Sequence, residues 1–407
     1  MRSGTESRLK GLARGLACAS AVLVAASCDS TPGTDQDPLG VSDQPPITGD
    51  GGTRSTADGP QVIGGVTQIS VTGEREIATG LNIPWSLAFT PDGDVLVTER
   101  DAGRILRIAP DGTATPLSGP GAQNLASAND SQGEAGLLGL ALHPDDPSLL
   151  YVYQTRASGN SVLRMTLNGS SLSEPTAILE GIPKARNHDG GRLAFGPDGY
   201  LYVSTGDAGN PDLAQDKDSL AGKILRLIAD GTDADGGAAP GNPFDSRVWT
   251  YGHRNVQGMA WVADGRMYAS EFGQSSLDEV NLIQAGHNYG WPMVEATEGA
   301  PEGTQLGQTV DGLTYPVVEW PTHEASPSGM AATNEGLYVS ALRGERLWRI
   351  PLTGEGVASP HVLIDGYGRI RNVAAGPDGG LYLLTGNTDG RGDLREGDDR
   401  LVLLTLD

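Results

Sequence analysis

The stretch "FGPDGYLYVSTGD", residues 195–207, decides the fold. Gly196-Pro197-Asp198-Gly199 has the composition of a tight turn, and Tyr200-Leu201-Tyr202-Val203-Ser204 alternates as a half-buried strand. After a loop comes "GKILRL" (222–227), a second strand ending in a basic–apolar pair. The same unit recurs along the chain: "FTPDGDVLVTER…GRILRI" (89–108), "LHPDDPSLLYVYQT…SVLRM" (142–165) and "WVADGRMYASEFG…DEVNLI" (261–283). Two more copies follow, "AATNEGLYVSALRGERLWRI" (331–350) and "AGPDGGLYLLTGN…DRLVLL" (375–404). Six copies share residues 63–407, about 57 residues each, enough for a four-stranded sheet and its loops. A sheet of that size cannot bury both faces alone, so the copies stack radially. The expected fold is all-β, a six-bladed β-propeller of four-stranded blades. A β-sandwich is the rival, but six like-spaced hairpins favour the propeller. No long apolar pattern of period 3.6 occurs, so helices should be few.

Composition agrees. Among 407 residues there are 59 glycines and 26 prolines without a collagen period, which means many turns and many short strands. The net charge of −23 disfavours nucleic acid, whose phosphates need a basic face. Arg2, Arg8, Lys10 and Arg14 precede the short apolar run "GLACASAVLVAA" (15–26), a targeting pattern rather than a membrane span. "AASC" (25–28) then resembles a bacterial lipobox, with Ala25 where Leu is usual. The expected organisation is a lipoprotein-type signal peptide over 1–27, a disordered tether over 28–62 rich in Asp, Pro, Gly, Ser and Thr, and the propeller over 63–407. Ordinary secretion is the alternative to a lipid on Cys28. Either way the protein is expected outside the cytoplasm, in the periplasm or at the cell surface. Cys18 and Cys28 are the only cysteines, so the folded part has no disulfide and no thiol nucleophile.

In a propeller, residues just before and after the inner strands converge at the channel mouth. His188, in "HDGG", lies there. Imidazole is the usual base near neutral pH, and a purely structural histidine is the competing reading. No histidine pair has helical metal spacing, which disfavours zinc. His253 ("GHRNVQG") and His287 ("GHNYGW") are expected to hydrogen-bond backbone. Arg254, Arg343, Arg369 and Arg371 fall in loops of a very acidic chain. They are either surface ion pairs or a cationic lid for a polyanion, since guanidinium matches carboxylate in a bidentate fork. The acidic run "GDAGNPDLAQDKDS" (206–219) lacks the EF-hand order and reads as a solvated loop. The chain has no GxSxG, P-loop or Rossmann fingerprint.

Seven motifs in order, "GEAGLLGLALHP", "HDGGRLAFGPDGYLYVSTGD", "GKILRL", "YGHRNVQGMAW", "SEFGQSSLDEVNLI", "GHNYGWP" and "RIRNVAAGPDG", resemble the soluble pyrroloquinoline-quinone (PQQ)-dependent sugar dehydrogenases, the glucose/sorbosone dehydrogenase family. The resemblance spans residues 70–405. It implies a six-bladed propeller with its active site at the channel mouth, a tricarboxylate quinone cofactor, an active-site Ca2+ and oxidation of aldoses at C1 to lactones. By position, His188 resembles the family's general base and Asp207 its paired carboxylate. Arg254 and Asn255 resemble the pair contacting the quinone, and Arg369 and Arg371 the two arginines on its carboxylates. Gly273 and Gln274 fall where the family offers carbonyls to calcium. Arg343 stands where the best-known member has lysine, and Glu134 where it has glutamine. An added carboxylate beside a tricarboxylate is unfavourable unless calcium, an arginine or a proton offsets it. A cytochrome or a quinone is the implied electron acceptor. Two other classes compete: a metal-dependent lactonase propeller, which needs no arginine lid, and a non-catalytic sugar- or protein-binding propeller.

Overall fold

The computed structural model describes residues 62–63, 66–354 and 356–407, with side chains from 68 onward. The expected signal peptide, Cys28 and nearly all of the expected tether lie outside the described residues. Six antiparallel sheets stand in a ring, the six-bladed propeller expected from the repeats. Their inner strands are Pro84–Phe89, Leu137–Leu142, Leu193–Phe195, Val256–Trp261, Pro327–Thr333 and Ile370–Ala375. Each inner strand packs against the next, and the last against the first. In every blade except the second and the sixth the order runs simply outward along the chain. Blade 2 gains a fifth, two-residue strand. Blade 6 takes its outer strand from the front of the chain: Val71–Ala78 pairs antiparallel with Leu401–Leu406, closing the ring.

The repeated turn has a physical reason. Gly93, Gly199, Gly265 and Gly379 adopt φ between +78° and +91°, a region costly for residues with a Cβ. The aspartate before the turn glycine reaches into its own blade. Asp198 accepts from Tyr202 Oη at 3.0 Å and from Arg226 Nε at 2.8 Å. Asp378 accepts from Tyr382 Oη at 3.0 Å. The arginine of "ILRL" thus ties the third strand back to the first turn.

Apolar clusters fill the spaces between blades. Tyr151, Tyr153 and Val162 of blade 2 pack on Leu201, Val203 and Leu225 of blade 3. Each such buried aliphatic contributes about 1.5–3 kcal/mol. At Gly258 the inner strands approach too closely for a side chain. A Cβ on Gly258 would lie 2.5 Å from Ser328 O. Two short α-helices, Gly119–Ala128 and Asp212–Gln215, occur among the described residues.

Candidate active site

One end of the ring gathers the residues that enter inner strands and those that leave second strands. His188 precedes the inner strand of blade 3 and Asp207 follows its second strand. His188 Nδ1 lies 2.7 Å from Asp207 Oδ1. The backbone permits this because His188 has φ +62° and Gly206 passes beneath it: a Cβ on Gly206 would lie 1.9 Å from His188 O. Asp207 Oδ1 also accepts from Gly209 N at 2.8 Å, and Oδ2 from Trp291 Nε1 at 2.9 Å. Burial works to raise this carboxyl, but the bonds from His188, Trp291 and Gly209 outweigh it and hold it below the ordinary range. With Nδ1–H donated to a carboxylate, Nε2 of His188 keeps its lone pair.

Arg254 and Asn255 enter the inner strand of blade 4. Glu271, at the end of that blade's second strand, fixes their backbone: its Oε1 accepts from Asn255 N at 3.1 Å and from Arg254 N. Its Oε2 lies 2.8 Å from His253 Nδ1, and His253 Nε2 lies 2.8 Å from Thr250 Oγ1. His253 therefore bonds two side chains, and His287 bonds Thr314 Oγ1 at 2.8 Å, rather than the backbone expected for both. Asn255 Oδ1 accepts from Gly190 N at 3.0 Å, whereas its buried Nδ2 has no partner among the described residues. Arg254 lies over the Trp291 ring, 5.5 Å from its centroid. Burial lowers its proton affinity, against the pull of Asp207 and Glu271.

Blade 6 supplies the remaining cations. Arg369 Nη2 donates to Asp389 Oδ2 at 2.9 Å, and Arg371 Nη2 lies 3.6 Å from the same oxygen. Arg371 sits within the inner strand rather than in a loop, because that strand begins at Ile370. Burial pushes Arg371 down to about 10, and Arg192 down to about 9. Arg192 stacks 4.2 Å over Trp85 and pairs with no carboxylate among the described residues. Arg343 is exposed at the rim.

Glu134 is offset by an arginine. Its Oε1 lies 3.2 Å from Arg391 Nη1, and its Oε2 accepts from His188 N at 3.0 Å. Two adjoining spaces share Glu134, Phe272, Leu342 and Arg391 in their walls. The inner is narrow, about 30 Å³, and adds Asp189, Gln257 and Arg371; the outer, about 410 Å³, adds His188, Arg254, Arg343 and Arg369. Gly273 and Gln274 also line the outer space. The amides of Gln274, Ser275, Ser276 and Leu277 all converge on Glu295 Oε1 at 2.7–3.2 Å, fixing the turn that carries both carbonyls. Among the described residues no group of three or more His, Cys, Asp or Glu is arranged to hold a metal. All ten sequence-selected residues thus reach one end of the channel. Asp389, Arg391, Trp291, Asp189 and Arg192 join them without having been selected as site residues, although Asp189 and Arg192 stand inside "HDGGRL" and Trp291 inside "GHNYGWP".

A propeller that brings a histidine–carboxylate pair and several guanidinium groups to one channel mouth has the parts to hold an anionic ligand beside a base. The chain belongs to the glucose/sorbosone dehydrogenase family, whose model matches residues 81–396. It is similar to the PQQ-bound form of aldose sugar dehydrogenase from Streptomyces coelicolor, with 46% identity and TM-score 0.74, over 84% of this chain and 98% of that one. It is 33% identical to aldose sugar dehydrogenase YliI of Escherichia coli, over 76% of this chain and 89% of that protein. It is 34% identical to quinoprotein glucose dehydrogenase B of Acinetobacter calcoaceticus, over 54% of this chain and 52% of that protein. The chain is accordingly an oxidoreductase of the sugar dehydrogenase type.

Proposed function

We propose that the protein oxidises aldoses at C1 to lactones with pyrroloquinoline quinone as cofactor and His188 as general base. The observation that carries this reading is the shared wall of the outer space: His188 faces the same volume as Arg254, Arg343 and Arg369. The residues fit a tricarboxylate quinone. Arg369 and Arg371 share a single carboxylate, Asp389, so part of their charge remains for a ligand. Asn255 Nδ2, Arg254 Nε and Arg369 Nε are buried donors without partners among the described residues, which favours a ligand rich in acceptors.

When bound, the quinone supplies a two-electron acceptor for the hydride released from the sugar C1. The chain does the rest. His188 Nε2 takes the proton of the anomeric hydroxyl, and Asp207 orients the ring and stabilises the imidazolium. Arg254 and Asn255 present donors where negative charge develops. The carbonyls of Gly273 and Gln274 would give a calcium ion two oxygen ligands. A lipid on Cys28 would hold the enzyme outside the cytoplasm, where a cytochrome or a quinone would take the electrons.

His188→Gln tests the reading. It should leave quinone binding, followed by fluorescence quenching, within about threefold. Turnover should fall by a factor on the order of 100 or more. Retained turnover would remove His188 from the base role.

A further inference from the structure

Trp291 touches both halves of the site without facing its open volume. Its Nε1 donates to Asp207 Oδ2 at 2.9 Å, and its ring lies 5.5 Å from the Arg254 guanidinium carbon. The residue is held from both sides by backbone. Trp291 N donates to Gly252 O at 2.9 Å, and Trp291 O accepts from Gln215 Nε2 at 2.6 Å. Gln215 is itself locked in a reciprocal amide pair with Asn288, at 3.0 and 2.8 Å. The blade 4 loop that carries Trp291 is thus bolted to the blade 3 loop that follows Asp207.

The consequence is geometric. A carboxylate beside a histidine can rotate about its Cβ–Cγ bond and offer either oxygen. Here Oδ1 faces His188 Nδ1 and Gly209 N, and Oδ2 is occupied by the indole. One face-to-face arrangement survives. We propose that Trp291 is a positioning residue that fixes the Asp207 carboxylate for His188 and couples that pair to Arg254. This rests on His188 being the base.

The indole also shares the negative charge of Asp207. Losing it leaves more of that charge to the imidazolium and raises the proton affinity of His188. The other charged groups around His188 are Glu134, which accepts from its amide, the neighbouring Asp189, and Arg254 beyond Asp207. Trp291→Phe leaves Glu134 and Asp189 in place and keeps an aromatic ring under Arg254.

The test is Trp291→Phe, which keeps a ring under Arg254 and removes the N–H. Loss of one hydrogen bond to a charged group predicts a fall in kcat of about tenfold or somewhat more. KM and quinone affinity should stay within about twofold. In the quinone-free protein, the His188 pKa read by NMR should rise, and the acid limb of kcat/KM should move to higher pH with it. On an Asp207→Asn background, Trp291→Phe should add no further loss, because its effect passes through that carboxylate. Losses that multiply, or an unmoved His188 pKa, would overturn the proposal. Should Trp291→Phe not fold, Gln215→Leu frees the Trp291 carbonyl. It should raise the His188 pKa in the same direction by a smaller amount, and no change there would also overturn the proposal. Failure of the base reading looks different: His188→Gln would then retain turnover, whatever the His188 pKa does in Trp291→Phe.

Discussion

Glu134 and Arg391 meet across the channel mouth at 3.2 Å, joining a loop before blade 2 to a loop of blade 6. The pair answers the electrostatic problem that the carboxylate at position 134 raises. Arg391 is 60% exposed, so the contact itself adds little stability, about 1 kcal/mol or less. Its effect should fall on the ligand. Glu134→Gln keeps an oxygen for His188 N, removes a negative charge and releases Arg391. Quinone affinity should rise about 3–10-fold, and Arg391→Ala should lower it by a similar factor. Calorimetric titration of both variants checks the two signs together.

Asp389 lies against two buried guanidinium groups, 2.9 Å from Arg369 and 3.6 Å from Arg371. Burial raises this carboxyl, but the two arginines outweigh it and hold it below the ordinary range. Asp389→Asn leaves the arginines without a counter-charge, a change of the kind that costs about 3–5 kcal/mol. The quinone-free protein should melt lower by roughly 5–10 °C at neutral pH. A group with a depressed folded pKa stabilises above its unfolded pKa and ceases to do so as pH falls through the folded value. The difference between variant and wild type should therefore shrink in acid. Saturating quinone should restore much of the lost stability, since its carboxylates replace Asp389. Melting curves with and without quinone, at neutral and acid pH, check this.

Asp189 behaves in the opposite sense. It is 2% exposed, and burial pushes its carboxyl up to about 6 despite bonds from Asn160 and Ala185. Oδ2 has no partner among the described residues. A raised folded pKa in an acid means that the native state holds the proton longer than the unfolded chain. Stability then falls as pH rises through about 4 to 6. Asp189→Asn keeps an oxygen for both donors and cannot ionise. It should melt a few degrees above wild type at pH 8, about 2–3 kcal/mol at most, and close to wild type near pH 4. A constant difference across that range would remove the burial of Asp189 as the cause.

The blades were legible because the same turn-and-strand pattern recurs from copy to copy, most fully in blade 3. A turn aspartate, a tyrosine two strand positions into the next strand and an arginine on the third strand form one bonded unit, Asp198–Tyr202–Arg226. The closing strand Val71–Ala78 was not legible. Its partner lies more than 300 residues away, and no local pattern announces such a pairing. The site divides in the same way. His188, Asp207, Arg254 and Asn255 stand beside inner strands, where topology alone brings them together. Asp389 and Arg391 lie in a long loop after the second strand of blade 6, and their arrival at the mouth depends on how that loop folds. Asn387 occupies the place in its blade that Asp207 occupies in blade 3, and Asp389 lies two residues beyond it, so comparing blade with blade would not have pointed to Asp389. Trp291 was invisible for a different reason. Its partner Asp207 belongs to the neighbouring blade, and the contact exists only once the blades are packed.

The central claim is that this channel mouth binds pyrroloquinoline quinone and oxidises aldoses with it. The most direct measurement takes the purified protein with calcium present, titrates the quinone, and follows aldose-dependent reduction of a redox dye. Saturable activity that plateaus near one equivalent of quinone per chain is the predicted result. Absence of both quinone binding and sugar-dependent reduction would contradict it, and the arginine wall would then serve another anion.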